Sequence, residues 1–370
     1  MEHIHNIEIK NFKSIRHAVI DGCKRVNVFV GPPNVGKSNI LEALSTFSVS
    51  NKAQLISDFI RLKEPTTLFF NGEIDKKAEV ILDDSLRIRA TNAKDSIKFV
   101  IEHDYKGHGF DKIDKLGFTT AVNAPEANQI GTYDVFVNSS YSGSLAVSRE
   151  SSHTIRLREE DEDRRIDIRK YEFKKDSPSS KSTSNWELEH PFGENIFNIL
   201  ATNSKLRNAI QEIFQPYNLE LLNDKRMQAF TILKRTGDSI FSIPYELVAD
   251  TIQRLIFYKA AIASNKETVL LFEEPESHMY PPYIAKFTSD MMYDENNNQY
   301  FITTHSPFVI SDIMENLKKE DYAIYTVGYD KENGETLVKR LSNEELHEIY
   351  QYGIDLFLNL ENYLPHEHKQ

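Results

Sequence analysis

Three short apolar runs along the chain each end abruptly in polar residues. They occupy residues 26–30, 268–272 and 300–304, and each has the length and composition of a buried β-strand. Apolar residues at helical spacing follow the first run from Ile40 and precede the second run over residues 246–263. Strands that alternate with helices in this way predict an α/β fold.

A second pattern, of short extended segments separated by turn residues, fills residues 66–104 and predicts an antiparallel sheet. Its segments are TTLFFNGEI, AEVILDD, SLRIRA and SIKFVIEH. Residues 4–20 predict two further strands, residues 191–214 predict two helices, and Asn333-Gly334 predicts a hairpin. Residues 105–150 carry few periodic cues apart from a predicted strand, YDVFV.

The polar break after the first run is GPPNVGKS at residues 31–38, a match to GxxxxGK[ST] between a predicted strand and a predicted helix. Glycine lets backbone N–H groups turn inward around a phosphate, and the helix N-terminus adds partial positive charge there. Lys37 is expected to reach the β- and γ-phosphates, and the Ser38 hydroxyl to ligate Mg²⁺. A chance match in a glycine-containing turn is the alternative, and the flanking strand and helix make it rare.

The second and third runs end in residues that suit phosphate chemistry. Glu273 is predicted to hold Mg²⁺ directly or through water, and Glu274 to deprotonate the water that attacks the γ-phosphate. A solvated acidic turn is the alternative, common alone but rare beside a phosphate loop. His305 follows the third run, where parallel sheets present groups to a ligand, although a lone histidine there is more often structural. We expect it to contact the γ-phosphate or the attacking water.

Composition narrows the class of protein without defining it. The 370 residues are 40% hydrophobic and 27% charged, which is ordinary for a globular chain and long enough for two domains or one with a large insertion. Neither a transmembrane run nor a signal peptide is apparent, and Cys23 is the only cysteine, so we expect a cytoplasmic protein without internal disulfides. The net charge of −12 disfavours broad adsorption to nucleic acid or membrane but permits a local basic groove.

A mixed-charge run, RLREEDEDRRIDIRK at residues 156–170, is interpreted as a solvated hairpin or helix face, with a partner or nucleic-acid contact as the alternative. The serine-rich stretch at residues 176–185 is the best linker candidate. The predicted divisions are residues 1–75 with the phosphate loop, 76–185 with the antiparallel region and an insertion, 186–265 as a helical lobe, and 266–370 with the two later polar strand ends.

Four segments together resemble the ABC-type ATPases of the OLD family and their AAA-like relatives, with RecF and SMC-type ATPases more distant. They are IEIKNFKSI, VNVFVGPPNVGKSNILEAL, LLFEEPESHMYP and FITTHSP, and the similarity covers roughly residues 4–47 and 190–320. The resemblance implies a P-loop NTPase of ABC type, with a mixed-sheet core, an antiparallel β lobe and an inserted, helical lobe. It also implies that two heads of a homodimer or higher homo-oligomer sandwich ATP and Mg²⁺.

The resemblance assigns roles to individual residues. Glu274 becomes the catalytic base, His305 the switch histidine and Lys37 a catalytic phosphate contact, while Ser38 and Glu273 serve Mg²⁺. The residues implied to contact the nucleotide are Lys13, Ser14, Asn34, Val35, Gly36, Lys37, Ser38 and Asn39.

The chain departs from the resemblance at two places. Relatives have a Ser-x-Gly signature at the start of a helix, where this chain has Val248-Ala249-Asp250-Thr251, so efficient hydrolysis or the symmetric sandwich is in question. Full-length OLD proteins continue into a Toprim nuclease domain, and the segment after Pro307 is too short for one and lacks its acidic cluster. We therefore expect no nuclease activity in this chain.

Three functions fit these patterns. The first is an ATPase whose cycle drives dimerisation and controls a separate effector, a nuclease or toxin, in bacterial anti-phage defence. The second is a nucleotide-gated scaffold or sensor that hydrolyses slowly or not at all. The third is a DNA-repair ATPase of RecF type with a DNA-contacting surface. No membrane partner is expected.

Overall fold

A computed structural model describes residues 3–48, 56–93, 96–103, 114–121, 155–158, 163–175, 186–224 and 229–365. Its strands are β1 Ile7–Phe12, β2 Ile15–Ile20, β3 Val26–Val30, β4 Ala78–Leu82, β5 Leu86–Ala93, β6 Ser96–His103, β7 Asp114–Ala121, β8 Ile155–Arg158, β9 Asp163–Ile166, β10 Ile168–Tyr171, β11 Leu219–Asp224, β12 Ala229–Thr236, β13 Ser239–Pro244, β14 Val269–Glu273, β15 Gln299–Thr303, β16 Tyr322–Asp330 and β17 Glu335–Arg340. Its α-helices are α1 Lys37–Ser45, α2 Ile196–Thr202, α3 Ser204–Phe214, α4 Asp250–Ser264, α5 Pro281–Met292, α6 Pro307–Asn316 and α7 Asn343–Gln351.

The central sheet is mixed, with strand order β10-β14-β15-β3-β16-β17. Its first five strands are parallel to their neighbours, and β17 returns antiparallel to β16 through the predicted hairpin at Asn333-Gly334. Glu273 pairs with Thr303, which pairs in turn with Phe29. The carboxyl ends of β14, β15 and β3 therefore lie side by side, and the loops that follow them emerge at one edge.

Both faces of the central sheet are covered, which explains why its strands are continuously apolar. On β14, Leu270 and Phe272 belong to a core shared with helices α4, α5 and α6. Val269 and Leu271 face the opposite core, which contains the apolar side of α1 and the antiparallel sheet. Helix α1 is packed against β10, β14 and β15, so it crosses directly over the strands whose ends form the polar edge.

An antiparallel sheet of order β2-β1-β4-β5-β6-β7 forms the second layer, and a three-stranded sheet, β11-β12-β13, accompanies helices α2 and α3. Both helices contact α4. The predicted α/β architecture, a mixed-sheet core with an antiparallel β lobe and a helical lobe, is thereby confirmed. The division into four segments stays a prediction, and both the linker at residues 176–185 and the strand YDVFV lie outside the described residues.

One predicted strand is wrong. The segment TTLFFNGEI forms two 3₁₀ turns, Pro65–Leu68 and Phe70–Gly72, and only Phe69 makes an isolated bridge, to Phe12. Leu68, Phe69 and Phe70 are all buried, whereas a strand exposes alternate residues to opposite faces. Asn71 has a positive φ of 50°, a turn conformation that interrupts extended structure.

The mixed-charge run is only partly what its composition predicts. Strands β8 and β9 form the expected antiparallel hairpin. Its last residues instead form β10, at the edge of the central sheet, where Arg169 and Lys170 are 2% and 1% exposed. The interpretation as a solvated face is therefore wrong for these two side chains. Charged side chains can be buried here because ion pairs and hydrogen bonds accompany them.

Candidate functional site

The phosphate-loop motif has the local geometry that its sequence predicts. It connects β3 to α1, and Gly36 precedes the helix with a φ of 102°, in the left-handed region open to glycine. No side chain caps the helix N-terminus, so its first backbone N–H groups are free for an anion. Lys37 is buried, and its Nζ donates to the carbonyls of Gly31 and Pro32 at 2.9 and 2.7 Å, so the lysine folds back along the loop.

A polar brace holds this loop from behind. The Ser14 hydroxyl lies 2.7 Å from both Asn39 Nδ2 and Thr336 Oγ1, and Thr336 Oγ1 donates to the Val35 carbonyl at 2.8 Å. A Cβ atom added at Gly36 would lie 2.2 Å from Thr336 Oγ1, so the brace leaves no space for a side chain. Four residues predicted to contact nucleotide thus meet in one small cluster.

Glu273, the predicted metal ligand, lies between two cations. Its Oε1 is 3.2 Å from Arg61 Nη2, and its Oε2 is 4.0 Å from Lys170 Nζ. Lys170 is buried on β10, next to β14, and also donates to the Phe59 carbonyl at 3.2 Å. Neither cation was identified from the sequence, because both belong to segments that only the tertiary fold brings to the carboxylate.

The second contact of Arg61 leads to a buried carboxylate on α1. Glu42, whose side chain is fully buried, accepts from Arg61 Nε at 2.6 Å and from Lys13 Nζ. Lys13 Nζ also donates to the Arg61 carbonyl at 2.9 Å. Burial lowers the pKa of Lys13, although the negative charge of Glu42 acts to raise it. The structure therefore places Lys13 on Glu42, whereas Ser14 is part of the loop brace.

Glu274 and His305, on neighbouring loops, are brought together. His305 Nε2 is 3.4 Å from Glu274 Oε1, and the Glu274 backbone N–H donates to both the carbonyl and the hydroxyl of Thr303, at 3.1 and 3.2 Å. Burial, followed by the positive charge of Lys37, lowers the pKa of His305, while Glu274 opposes the shift. The phosphate loop, the base candidate and the histidine therefore share one electrostatic environment.

A further carboxylate underlies this pair. Glu276 is 7% exposed, and its Oε1 accepts from the Thr304 hydroxyl at 2.5 Å and from the His305 backbone N–H at 3.0 Å. Burial raises the pKa of Glu276. In the sequence, Glu276 is distinguished only as one residue of the segment LLFEEPESHMYP. The available signal was an acid three residues beyond a strand end, too general to distinguish a loop-bonding carboxylate from a solvated one.

The donor set at this edge fits a nucleotide with a hard divalent cation. Ser38 lies in the first turn of α1 and is half-buried, and Glu273 supplies a carboxylate. A hydroxyl and a carboxylate suit Mg²⁺, which takes few protein oxygens beside substrate phosphates. Across the described ranges, no three His, Cys, Asp or Glu side chains gather as a group able to hold a metal by themselves.

The altered signature segment lies at the start of α4, where Ala249 is exposed and Val248, Asp250 and Thr251 are half-buried. Ala249 precedes the helix without a side-chain cap, and the Asp250 carboxylate pairs with Arg254 Nε at 2.8 Å. Thr251 Oγ1 accepts from the Tyr280 backbone N–H at 3.1 Å, so this segment is tied to the loop that carries Glu274 and Glu276. Asp250 places a negative charge where a phosphate-facing helix start would have none.

The fold and the three loops at its edge are those of a P-loop ATPase of the ABC type. A family model described as "AAA domain, putative AbiEii toxin, Type IV TA system" matches residues 26–311, and the chain belongs to that family. The match begins at β3 and ends within α6, so it includes every polar strand end described above. The AAA-like part of the predicted resemblance is confirmed, and the narrower OLD assignment stays a prediction.

Individual relatives are more distant. The chain is 24% identical over 362 residues to an "ATP/GTP phosphatase" of Helicobacter pylori (strain ATCC 700392 / 26695), with 87% of this chain and 90% of that protein covered. An SMC head bound to the C-terminal winged-helix domain of ScpA superimposes with a TM-score of 0.49 at 15% identity, covering 94% of this chain and 100% of that chain. The SMC head domain from Thermotoga maritima gives a TM-score of 0.41 at 12% identity, covering 92% of this chain and 100% of that chain.

Within the described ranges, no helix combines the length and apolarity that crossing a membrane requires.

The charges of Lys37 and Glu274 should shift the pKa of His305 in opposite directions. In nucleotide-free protein the pKa of His305 lies below its ordinary value of 6.5, so the ring is mainly neutral at pH 7. Lys37→Met removes a nearby positive charge and should raise this pKa, whereas Glu274→Gln removes a negative charge and should lower it. An NMR titration of the His305 ring, assigned with a His305→Gln variant, measures both shifts.

The matched control for this titration is Lys319→Met, which removes an exposed lysine after α6 and should leave the His305 pKa unchanged. Equal shifts from Lys319→Met and Lys37→Met would show that the titration reports total protein charge instead of the local arrangement.

Proposed function

We propose that this chain hydrolyses ATP with Mg²⁺ at the edge formed by the phosphate loop, Glu274 and His305, dimerises around the nucleotide, and controls a separate effector protein in defence against phage. The observation that carries the catalytic part is the contact of 3.4 Å between His305 Nε2 and Glu274 Oε1, beside the loop that ends in Lys37. A base and a polar ring so placed suit the in-line attack of water on a γ-phosphate.

Ser38 and Glu273 would hold the metal, which when bound supplies positive charge that screens the phosphates. The uncapped N-terminus of α1 and the loop amides would hold the phosphates. Lys37 would exchange its two loop carbonyls for phosphate oxygens, which are stronger acceptors for an ammonium group.

Glu274 would take the proton of the attacking water as the γ-phosphorus–oxygen bond to the leaving ADP breaks. The Ser277 hydroxyl, 3.3 Å from Glu274 Oε2, and the His305 ring, near Oε1, bracket the carboxylate and limit its rotation. A neutral His305 ring can donate to the phosphate or the water without presenting an additional full charge, and the lowered pKa of His305 favours that form.

Hydrolysis should depend on the ability of the Glu274 carboxylate to accept a proton, and not on the size of the side chain. Glu274→Gln should lower phosphate release by about 100-fold or more while ATP affinity stays close to that of the wild type, because the amide cannot accept the proton. Lys37→Ala should weaken ATP binding itself. Phosphate release and the binding of a fluorescent ATP analogue measure the two effects.

Glu295→Gln is the control, since this exposed residue lies between α5 and β15, at the opposite edge of the sheet. Equal and slow phosphate release by wild type, Glu274→Gln and Glu295→Gln, with ATP bound by all three, would favour the nucleotide-gated scaffold over an active ATPase.

The exposed start of α4 supports the dimer. Ala249 offers no side-chain cap to the helix start, and backbone N–H groups at a helix start are the type of group that approaches a phosphate across an ABC-type interface. The ion pair of Asp250 with Arg254 partly offsets the negative charge that would oppose this approach.

With saturating Mg-ATP, Glu274→Gln protein should sediment at twice the mass of the nucleotide-free chain, because a trapped nucleotide holds two heads together. Adding Ala249→Trp should abolish the dimer by steric exclusion while ATP binding persists. Lys319→Trp, a bulky substitution at an exposed position after α6, should leave the dimer intact. A monomeric Glu274→Gln protein at saturating ATP would contradict the sandwich.

The separate effector is proposed from the resemblance to ATPases that act beside a nuclease or toxin, and the description of the matched family, which itself carries the words toxin and TA system, supports a role in defence. Since the nucleotide would set the partner-binding form, tagged Glu274→Gln protein should recover a nuclease or toxin from its host with ATP present, and Lys37→Ala protein should recover much less of it. Deletion of the gene should raise phage plaque numbers. If neither bait enriches an effector and plaque numbers do not change, the defence role is wrong.

A further inference from the structure

The loops after β14 and β15 are joined by one buried oxygen atom. Glu276 Oε1 accepts the Thr304 hydroxyl at 2.5 Å and the His305 backbone N–H at 3.0 Å. Thr304 Oγ1 in turn accepts the Ser306 backbone N–H at 3.0 Å, and Ser306 precedes the first turn of α6. A single carboxylate therefore connects the loop that carries Glu274 with the main chain on both sides of the histidine.

Among the residues that the structure describes, the other oxygen of this carboxylate meets no hydrogen-bond partner. This atom, Glu276 Oε2, is buried, in a residue that is 7% exposed overall. A carboxyl group is costly to bury with half of its acceptors unused, and stability alone would favour an apolar residue or a smaller hydroxyl there. Retention of the carboxyl is explained if the two bonds to Oε1 serve the site.

We propose that Glu276 is a positioning residue for ATP hydrolysis, which holds the His305 main chain so that its ring stays against Glu274. The inference rests on the proposed role of His305 in hydrolysis. Both ends of the geometry are anchored, because the Glu274 N–H is bonded to Thr303 and the His305 N–H is bonded to Glu276. Loss of the Glu276 bonds would release only the histidine end, and the 3.4 Å contact between ring and carboxylate would lengthen.

A comparison of two substitutions separates positioning from charge. Glu276→Gln retains a side-chain oxygen that can accept both bonds, while Glu276→Ala removes it. The amide has nearly the same shape as the carboxylate, and its carbonyl oxygen accepts hydrogen bonds as a carboxylate oxygen does. Asp290→Ala is the matched control, because Asp290 on α5 is a half-buried carboxylate whose Oδ1 pairs with Lys259 at 2.5 Å, while its buried Oδ2 meets no hydrogen-bond partner in the described part of the chain.

The first measurement is hydrogen exchange of the His305 backbone amide in the nucleotide-free full chain. Glu276→Ala should speed this exchange on the order of 10-fold, the effect of losing one charge-assisted hydrogen bond. Glu276→Gln and Asp290→Ala should leave it near the wild-type rate. Unchanged exchange in Glu276→Ala, or equal acceleration in Asp290→Ala, would overturn the assignment.

The second measurement is a double-mutant cycle on ATP hydrolysis. Glu276→Ala should lower kcat by about 10- to 100-fold with little change in KM, the scale expected for a misplaced catalytic group, and Glu276→Gln should restore most of the rate. In a His305→Ala background, Glu276→Ala should cause no further loss, since the residue acts through the histidine. Additive losses would show a general structural role and overturn the inference.

The two proposals fail in different ways. If His305→Ala hydrolyses ATP at the wild-type rate, the role of the histidine is wrong, and a kcat loss in Glu276→Ala would then also contradict positioning through His305. If His305→Ala is impaired while Glu276→Ala is not, the proposed function stands and the positioning role of Glu276 is wrong.

Discussion

A sheet that is covered on both faces leaves its strand ends as the main place where polar chemistry can meet solvent. Phe272 on β14 and Ile302 on β15 have no exposed surface, and the two strands end in the polar residues Glu273 and Thr303. Since β14, β15 and β3 are parallel neighbours, their loops emerge together. The acidic loop, the histidine and the phosphate loop are thus collected by strand order, although they are far apart in the chain.

The same constraint explains the unusual burial of charge near this edge. Helix α1 crosses the strands with its phosphate-binding end at the edge, and Glu42 on its inner side has no contact with water. Such a carboxylate persists only when opposite charges accompany it, and Lys13 and Arg61 do so. Arg61 also reaches Glu273, so the buried carboxylate of Glu42 on α1 is linked through Arg61 to the metal-ligand candidate. Removing one member would leave its partners uncompensated.

The strand ends could be predicted from sequence because their signal is local. A buried strand, a turn and a helix occupy consecutive residues, so Lys37, Glu273 and His305 are identified without knowledge of the fold. Arg61 and Lys170 could not be found in this way, because neither stands next to a motif and their role depends on which side chain they meet across the sheet. The strand predicted at residues 66–74 was wrong for a related reason. Its three buried apolar residues have the composition of a strand, and the turn at Asn71 that interrupts them is visible only in the structure.

The bonds around Glu276 relate the chemistry of the site to the rest of the molecule. The same carboxylate that receives the His305 N–H also fixes Thr304, whose hydroxyl receives the N–H of Ser306 at the start of α6. Helix α6 is packed against α5, and α5 against α4, the helix whose exposed start carries the altered signature segment. A displacement of the histidine loop on phosphate loss would therefore act on packed helices with few alternative arrangements, and close packing transmits such a shift. The loop after β14 adds a shorter connection, because Tyr280 in it donates to Thr251 on α4. Two connections, one through helix packing and one through a single hydrogen bond, thus join the loops that carry Glu274 and His305 to the start of α4.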